Sequence, residues 1–247
     1  MNSERIEAIL QAVRGADILN LGCVNHSIAL TESEKERWLQ LKLSERFPGG
    51  NVLGLDIDRE NVARMRAQGM NVEVGDAQRL TYRASFDTIV LGEIIEHLEN
   101  PGACLEGCRR ALKAGGRIII STPNIFCVMH VLMYLKNSDH AFNTEHVAWF
   151  CPQTLRTMVE RCGLRIESFK FVDDLAPDVV SDLPYLIFAF AWLGVRWIFP
   201  KRYRNTMVAV CVPVEKHEVA TTTTREMVSS VNHGSPVSTP LPQAQAD

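Results

Sequence analysis

Residues 86–124 constrain the fold more strongly than any other part of this 247-residue chain. Residues 86–91 form a short apolar run rich in β-branched side chains, which is typical of a strand buried on both faces. A helix is predicted over residues 101–113, because Pro101 suits a first helical turn and two glycines follow at 115 and 116. Residues 117–121 are a second apolar run. The stretch therefore predicts a strand–helix–strand unit.

The same alternation of strand and helix patterns runs through the rest of the chain. Further strands are predicted at residues 17–21, 51–56, 71–74, 164–172 and 206–212. Helical patterns lie between most of them. Short strands alternating with helices imply right-handed crossovers, and hence a doubly wound, mostly parallel α/β sheet covered on both faces.

Acidic residues follow three of the predicted strands. Asp56 ends the second strand, Asp76 follows the third and Glu93 follows the fourth. Ligands of open parallel sheets bind at the carboxyl ends of the strands, and a carboxylate at the end of the second strand typically accepts hydrogen bonds from ribose hydroxyls. The pattern favours an adenosine-containing ligand across this edge.

A second group of polar residues follows the fourth strand. If residues 93–98 form a helical turn, then Glu93, Glu96 and His97 lie at positions i, i+3 and i+4 and share one face. Two carboxylates and an imidazole on one face can bind a metal ion or move a proton.

At these positions the chain resembles the class I S-adenosylmethionine-dependent methyltransferases. The resemblance covers roughly residues 16–171 and rests on ADILNLGC, VLGLDID, VEVGDAQ and FDTIVLGEIIEHLENPGACLEGCRRALKAGGRIIISTPN. It implies a Rossmann-like sheet of seven strands, completed by residues 206–212, and S-adenosylmethionine as cofactor.

Cofactor residues follow from this resemblance position by position. Gly22 would approach the methionine part, Asp56 would hold the ribose, and Asp76 with Ala77 would face the adenine; Ile57 and Glu93 complete the predicted cofactor site. The first loop departs from the family, because Asn20 replaces its usual acidic residue and Val24 and His26 replace its later glycines. The loop is therefore either altered but competent, or part of a fold that no longer binds cofactor well.

The E-x-x-E-H run resembles that of the ubiquinone-biosynthesis O-methyltransferases and of the small-RNA 2′-O-methyltransferases. By this resemblance a divalent cation would be bound by Glu93, Glu96, His97 and His146, with His140 as an alternative to His146. Many metal-free relatives carry a similar run, so a second reading assigns proton transfer to His97 or His146. The predicted catalytic residues are His97, His146 and Glu96.

The remaining sequence predicts a methyltransferase domain at residues 1–214 and a disordered tail at 215–247. An apolar insertion at about 175–204 precedes the last strand. Its segment 184–200 is shorter than the roughly 20 apolar residues that spanning requires, and Arg196 interrupts it. Aromatic residues beside a basic cluster suit either a lid or dimer-interface helix, or an interfacial helix on an anionic membrane.

These observations predict a cytoplasmic O-methyltransferase acting on a small-molecule, sugar or lipid-linked acceptor, with peripheral membrane association as an open alternative. One alternative is a catalytically silent relative that serves protein interaction, and another is an RNA 2′-O-methyltransferase. A nicotinamide dehydrogenase would need G-x-G-x-x-G after the first strand, which the chain lacks. A net charge of −3 gives no reason to expect DNA as a partner. The sequence indicates no oligomeric state.

Overall fold

The computed structural model describes residues 3–24, 35, 37–128, 130, 131, 143, 145–173, 194, 198 and 200–214. Several predictions made from the sequence fall outside these residues: His26 in the first loop, the alternative ligand His140, most of the 175–204 insertion and the 215–247 tail. None of the helices in the described residues is long and apolar enough to cross a membrane.

Helices and strands alternate along most of the described chain. The helices are α1 (Glu4–Ala12), α2 (Leu39–Arg46), α3 (Arg59–Ala67), α4 (Pro101–Ala111) and α5 (Pro152–Arg161). The strands are β1 (Asp17–Leu21), β2 (Asn51–Asp56), β3 (Val72–Val74), β4 (Phe86–Gly92), β5 (Leu112–Pro123), β6 (Leu164–Val172) and β7 (Thr206–Pro213). Short 3₁₀ turns lie at Ala77–Arg79, Ile95–His97 and Lys201–Tyr203.

The seven strands form one sheet in the order β3-β2-β1-β4-β5-β7-β6. Strand β7 runs antiparallel to β5 and β6, and the other neighbouring strands are parallel. The predicted doubly wound, mostly parallel sheet of seven strands is confirmed. The carboxyl ends of β1, β2, β3 and β4 consequently meet at one edge.

The junction of α4 and β5 differs from the sequence prediction. The helix ends at Ala111, not at residue 113, and β5 begins at once with Leu112. Leu112 pairs with Phe86 and Arg117 pairs with Thr88, so most of the residues between them bulge out of the ladder. Gly115 takes a φ of +74° within this bulge. The glycine pair therefore bends a strand, where the sequence pattern predicted a helix stop.

The central strands of the sheet are buried on both faces, which explains why they are mostly apolar. In β1, Leu19 and Leu21 pack toward the face covered by α4 and α5, and Ile18 packs toward the face covered by α1 and α2. In β4, Leu91 packs toward the face covered by α4 and α5, and Val90 packs toward the face covered by α1 and α2. Successive strand side chains point to opposite faces, so a strand between two helical layers is apolar at every position.

Asp87 fastens the start of β4 to the start of β1, at the edge opposite the carboxyl ends. Its Oδ2 accepts hydrogen bonds from the backbone N–H groups of Ala16 and Asp17, at 3.0 and 2.9 Å. The ammonium group of Lys113 lies 3.2 Å from Asp87 Oδ1 and also contacts Asp17. The backbone N–H of Asp17 chiefly, and Lys113 beside it, hold the pKa of Asp87 below its ordinary value.

We expect Asp87→Ala to lower the free energy of unfolding by about 1–2 kcal/mol, because two backbone donors lose a charged acceptor. A depressed folded-state pKa contributes stability above the unfolded pKa of about 3.9, and that stability is lost as the pH falls through the folded pKa. The variant should therefore lose less stability than the wild type below about pH 4. Urea unfolding at several pH values measures both effects.

Glu60→Ala is the matched control, since Glu60 forms an exposed ion pair with Arg64 on α3. Such pairs contribute roughly 0–1 kcal/mol. Equal losses in the two variants would contradict the role given to Asp87.

Candidate active site

A cleft of about 740 Å³ lies at the carboxyl ends of β1, β2, β3 and β4. All six residues predicted to bind a cofactor line it: Gly22, Asp56, Ile57, Asp76, Ala77 and Glu93. Other described lining residues are Val24, Asp58, Gly75, Gln78, Gly92, Ile94, His97, Leu98, Glu99, Asn143 and Glu145. The topology of the sheet brings these positions together from distant parts of the sequence.

Gly22 forms the turn that leaves β1. Its φ is +70°, a left-handed conformation that side chains disfavour, and its N–H donates to the carbonyl of Leu55 at 2.9 Å. A Cβ at this position would lie 2.9 Å from Cδ1 of Ile94. Only glycine therefore fits here without movement of the opposite cleft wall.

Asp56 and Asp76 are oriented by backbone donors. Oδ2 of Asp56 accepts from the N–H of Val24 at 2.9 Å, and Oδ1 accepts from the N–H of Asp58 at 3.0 Å. Oδ1 of Asp76 accepts from the N–H of Gln78 at 2.8 Å. Each carboxylate keeps lone pairs for further donors, because an ionised carboxylate has about four acceptor sites.

Glu93 departs from the geometry expected of a helical turn. Its φ is +56°, and its N–H donates to the carbonyl of Ser121 at 3.1 Å, so it continues the sheet edge. The 3₁₀ turn begins only at Ile95. Glu93 consequently lines the cleft, and the expectation that it shares a helical face with Glu96 and His97 is wrong.

Glu96, His97 and His146 form a compact group of potential ligands. One ligand atom from each lies within 4.8 Å of the others, and Glu93 is not part of this group. The rings of His97 and His146 meet edge to face, with centroids 4.7 Å apart. His97 also lines the cleft, so the group borders the space where the cofactor was predicted to bind.

His146 reaches this group through backbone hydrogen bonds. The N–H groups of Val147 and Ala148 both donate to the carbonyl of Glu96, at 3.0 and 3.1 Å. The carbonyl of Phe150 accepts from the N–H of Ile125 at 3.1 Å, just beyond the end of β5. The segment after β5 is thereby held against the 3₁₀ turn.

The carboxylate of Glu96 is almost completely buried, with 1% of the residue exposed. Its Oε2 accepts from the hydroxyl of Thr122 at 2.9 Å, whereas Oε1 has no hydrogen-bond partner among the described residues. Burial, and then the nearby carboxylate of Glu93, raises the pKa of Glu96. Burial also lowers the pKa of His146 to about 4, with His97 and His130 acting in the same direction.

Thr122 is a site residue that the sequence reasoning missed. It lies at the end of β5, is fully buried and donates to Glu96. Its position at a strand end beside β4 was the available signal. That signal was weak, because a threonine in this position is also ordinary strand sequence.

Comparisons with known proteins agree with this geometry. A family described as "Methyltransferase domain" matches residues 37–120. The ubiquinone biosynthesis O-methyltransferase of Idiomarina loihiensis is 28% identical over 177 residues, which cover 64% of this chain and 65% of that protein. The same enzyme of Shewanella pealeana is 34% identical over 84 residues, covering 31% and 36%. The matched regions thus span less than two thirds of these relatives.

A solved structure of a SAM-dependent methyltransferase from Archaeoglobus fulgidus shares the fold, with a TM-score of 0.56 at 18% identity. The likeness covers 84% of this chain and 90% of that one. The chain is thus similar to S-adenosylmethionine-dependent methyltransferases in sequence over the matched regions and in its fold. Its relatives among the ubiquinone-biosynthesis enzymes are the subgroup that its E-x-x-E-H run resembles.

The charge of the cleft fits S-adenosylmethionine, the cofactor that the sequence resemblance implies. Among the described lining residues are six carboxylates and no lysine or arginine; the six are Asp56, Asp58, Asp76, Glu93, Glu99 and Glu145. Anionic surroundings favour a sulfonium cation and disfavour a phosphate. The side chain of Ile57, 72% exposed, and that of Ala77 offer apolar contacts for a base.

The group formed by Glu96, His97 and His146 fits a divalent cation. Both Oε1 of Glu96 and Nδ1 of His146 are buried and have no hydrogen-bond partner among the described residues. Buried polar atoms are normally satisfied, and these two are of the kind that a cation can coordinate. One carboxylate with two imidazoles suits Mn²⁺, Fe²⁺, Co²⁺ or Zn²⁺ at least as well as Mg²⁺.

We expect Gly22→Ala to weaken S-adenosylhomocysteine binding about tenfold or more, which corresponds to about 1.4 kcal/mol. The added methyl group meets Ile94, and the residue keeps a left-handed conformation that costs roughly 1–2 kcal/mol. Isothermal titration calorimetry measures the affinity, and thermal unfolding measures the stability.

Gly69→Ala is the control for backbone strain alone. Gly69 has a φ of +83°, and nothing lies within 4 Å of an added Cβ. This variant should lose about as much stability as Gly22→Ala and keep the wild-type affinity for S-adenosylhomocysteine. Unchanged affinity in Gly22→Ala would remove Gly22 from the cofactor site.

Proposed function

We propose that this chain transfers a methyl group from S-adenosylmethionine to an oxygen atom of a small-molecule or lipid-linked acceptor. The observation that carries the proposal is the position of His97, which both lines the acidic cleft and belongs to the Glu96–His97–His146 group. An acceptor hydroxyl at this group would therefore lie beside the cofactor. The names of the ubiquinone-biosynthesis relatives support oxygen as the methylated atom.

The chemistry asks the protein mainly for alignment. S-adenosylmethionine, when bound, supplies an activated methyl group on a sulfonium. The residues proposed to hold it are Gly22 at the methionine part, Asp56 at the ribose, Ile57, Asp76 and Ala77 at the adenine, and Glu93 at the cleft wall. Fixing both reactants in one geometry and excluding water provides much of the rate enhancement in such reactions.

If no cation is bound, His97 is the proposed proton acceptor. Histidine is the side chain most often used as a general acid or base, and of the two histidines in the group His97 is the one that lines the cleft. His146 packs edge to face against His97 and against the ring of Trp149, with a centroid distance of 4.9 Å in the second case. These contacts restrict the orientation of the catalytic ring.

A divalent cation is the proposed partner of Glu96, His97 and His146. When bound, it would act as a Lewis acid that lowers the pKa of the acceptor hydroxyl. Burial keeps the imidazole of His146 neutral at pH 7, which is the form that binds metals. Thr122 engages one oxygen of Glu96 and so leaves the other available to the cation.

The acidic cleft argues against a dinucleotide cofactor, because a pyrophosphate would lie among carboxylates. Calorimetry distinguishes the proposed enzyme from the alternative, a catalytically silent relative that serves protein interaction. We expect the wild-type chain to bind S-adenosylhomocysteine with a stoichiometry of one. No detectable binding of either S-adenosylmethionine or S-adenosylhomocysteine would contradict the proposed function and support the silent relative.

We expect Glu96→Gln and His146→Ala to abolish methyl transfer while S-adenosylhomocysteine affinity changes less than about threefold, or 0.7 kcal/mol. The reason is that both side chains belong to the acceptor side and neither lines the cleft. Transfer to catechol, a simple phenolic probe, can be followed by mass spectrometry. Full activity of the wild type in excess chelator would exclude the cation and leave His97 as the base.

We expect Thr122→Val to weaken Co²⁺ binding roughly 10- to 100-fold, because residues that orient a ligand commonly have effects of this size. Thr122→Ser keeps the hydroxyl and should retain wild-type affinity. The absorption spectrum of bound Co²⁺ reports the affinity without an acceptor. Equal affinities in the valine and serine variants would show that the hydroxyl does not position Glu96.

A further inference from the structure

A second concavity, of about 500 Å³, lies beyond the ends of β5 and β7 on the same edge of the sheet. Its described lining residues are Phe126, Val128, Val131, Pro152, Gln153, Arg202 and Tyr203. None of these residues lines the acidic cleft. We refer to it as the β5–β7 pocket. Its volume is in the range of small-molecule sites, roughly 300–1,000 Å³.

One buried amide holds two walls of this pocket together. Nδ2 of Asn124 donates to the carbonyls of Arg202 and Arg204, both at 2.9 Å. Oδ1 of the same side chain accepts from the N–H of Phe126 at 3.2 Å. Asn124 is completely buried. The 3₁₀ turn Lys201–Tyr203 and the residues after β5 are thereby fixed relative to each other.

The walls expose apolar groups to solvent. Phe126 is 55% exposed and Val131 is 43% exposed, and Pro152 and Val128 extend the same surface. Burial of apolar surface of this kind by a ligand is favourable in proportion to the area removed from water. The pocket therefore suits an aliphatic group.

Arg202 gives the pocket a positive charge. Its guanidinium lies 5.2 Å from the centre of the Tyr203 ring and donates to the Tyr203 hydroxyl at 3.4 Å. It forms no ion pair with any described residue, whereas the neighbouring Arg204 pairs with Glu4 and Asp173. A guanidinium without a carboxylate partner matches a carboxylate or phosphate in charge and in hydrogen-bond geometry.

We propose that the β5–β7 pocket binds an amphipathic anion, namely a single aliphatic or isoprenoid chain that ends in a carboxylate or phosphate. The chain lies on Phe126, Val128 and Val131, and the acidic group pairs with Arg202. The ligand binds as a single dissolved molecule and not as part of a membrane, because the residues line a concavity. The described residues of this pocket include none that line the acidic cleft, so the amphipathic anion and S-adenosylhomocysteine should bind at the same time.

The probes are dodecanoate and dodecyl phosphate below their micellar concentrations, titrated into the full-length chain by calorimetry. We expect both to bind with a stoichiometry of one, dodecanol to bind at least tenfold more weakly, and dodecyltrimethylammonium not to bind. Arg202→Gln should weaken dodecanoate at least tenfold and leave dodecanol unchanged. Val131→Asp should weaken the binding of dodecanoate, dodecyl phosphate and dodecanol.

Arg83→Gln is the matched control, because Arg83 is an exposed arginine in the loop before β4, away from the pocket. It should bind dodecanoate like the wild type. Thermal unfolding confirms that each variant is folded, and S-adenosylhomocysteine affinity should be the same in all of them.

Three outcomes would overturn the proposal. The first is the absence of dodecanoate binding to the wild type, or equal binding by Arg202→Gln. The second is displacement of dodecanoate by S-adenosylhomocysteine, which would locate the ligand in the acidic cleft. The third is binding to dioleoylphosphatidylglycerol vesicles without binding of the monomeric probes, which would make this surface a membrane contact.

Discussion

The parallel pairing of β4 with β1 is the interaction on which the candidate site depends. Leu21 lies opposite Leu91 in this ladder. Gly22, which follows β1, and Gly92, the last residue of β4, consequently both line the cleft. The pairing is buried between two helical layers, and a one-residue slip would turn every side chain of the slipped strand to the other face. The register of a hydrophobic ladder thus fixes the position of the polar groups at its end. Asp87 secures the same pair at the far edge.

The group formed by Glu96, His97 and His146 depends on a different feature, which is the buried carboxylate of Glu96. Removing Glu96 from water is unfavourable, and the hydroxyl of Thr122 compensates for only one of its oxygens. The backbone carbonyl of the same residue accepts two N–H groups from the segment that carries His146. One residue therefore anchors a distant part of the chain and also presents an oxygen that lacks a partner among the described residues. A bound cation would remove the energetic conflict in this arrangement.

Sequence patterns predicted the sheet and its acidic tips because these features are local. An apolar run followed by an aspartate needs no knowledge of distant residues, and Asp56 and Asp76 line the cleft as expected. Glu93 was misjudged in part, because its backbone is left-handed and donates a hydrogen bond to Ser121 on the next strand, and the local sequence pattern signals neither feature. The contact of Thr122 with Glu96 and the β5–β7 pocket both arise between segments far apart in sequence. Such contacts leave no periodic signal in a single chain.

The direction of β7 has a consequence for how such a protein can change its partners. Strand β6 ends with Val172 and β7 begins with Thr206, and antiparallel pairing places these two residues opposite each other. Thr206 also lies opposite Pro123, at the end of β5. The connection between β6 and β7 therefore leaves and rejoins the sheet on the ligand edge. Residues can be added to or removed from that connection without altering any strand, so a new surface can evolve there while the acidic cleft stays the same.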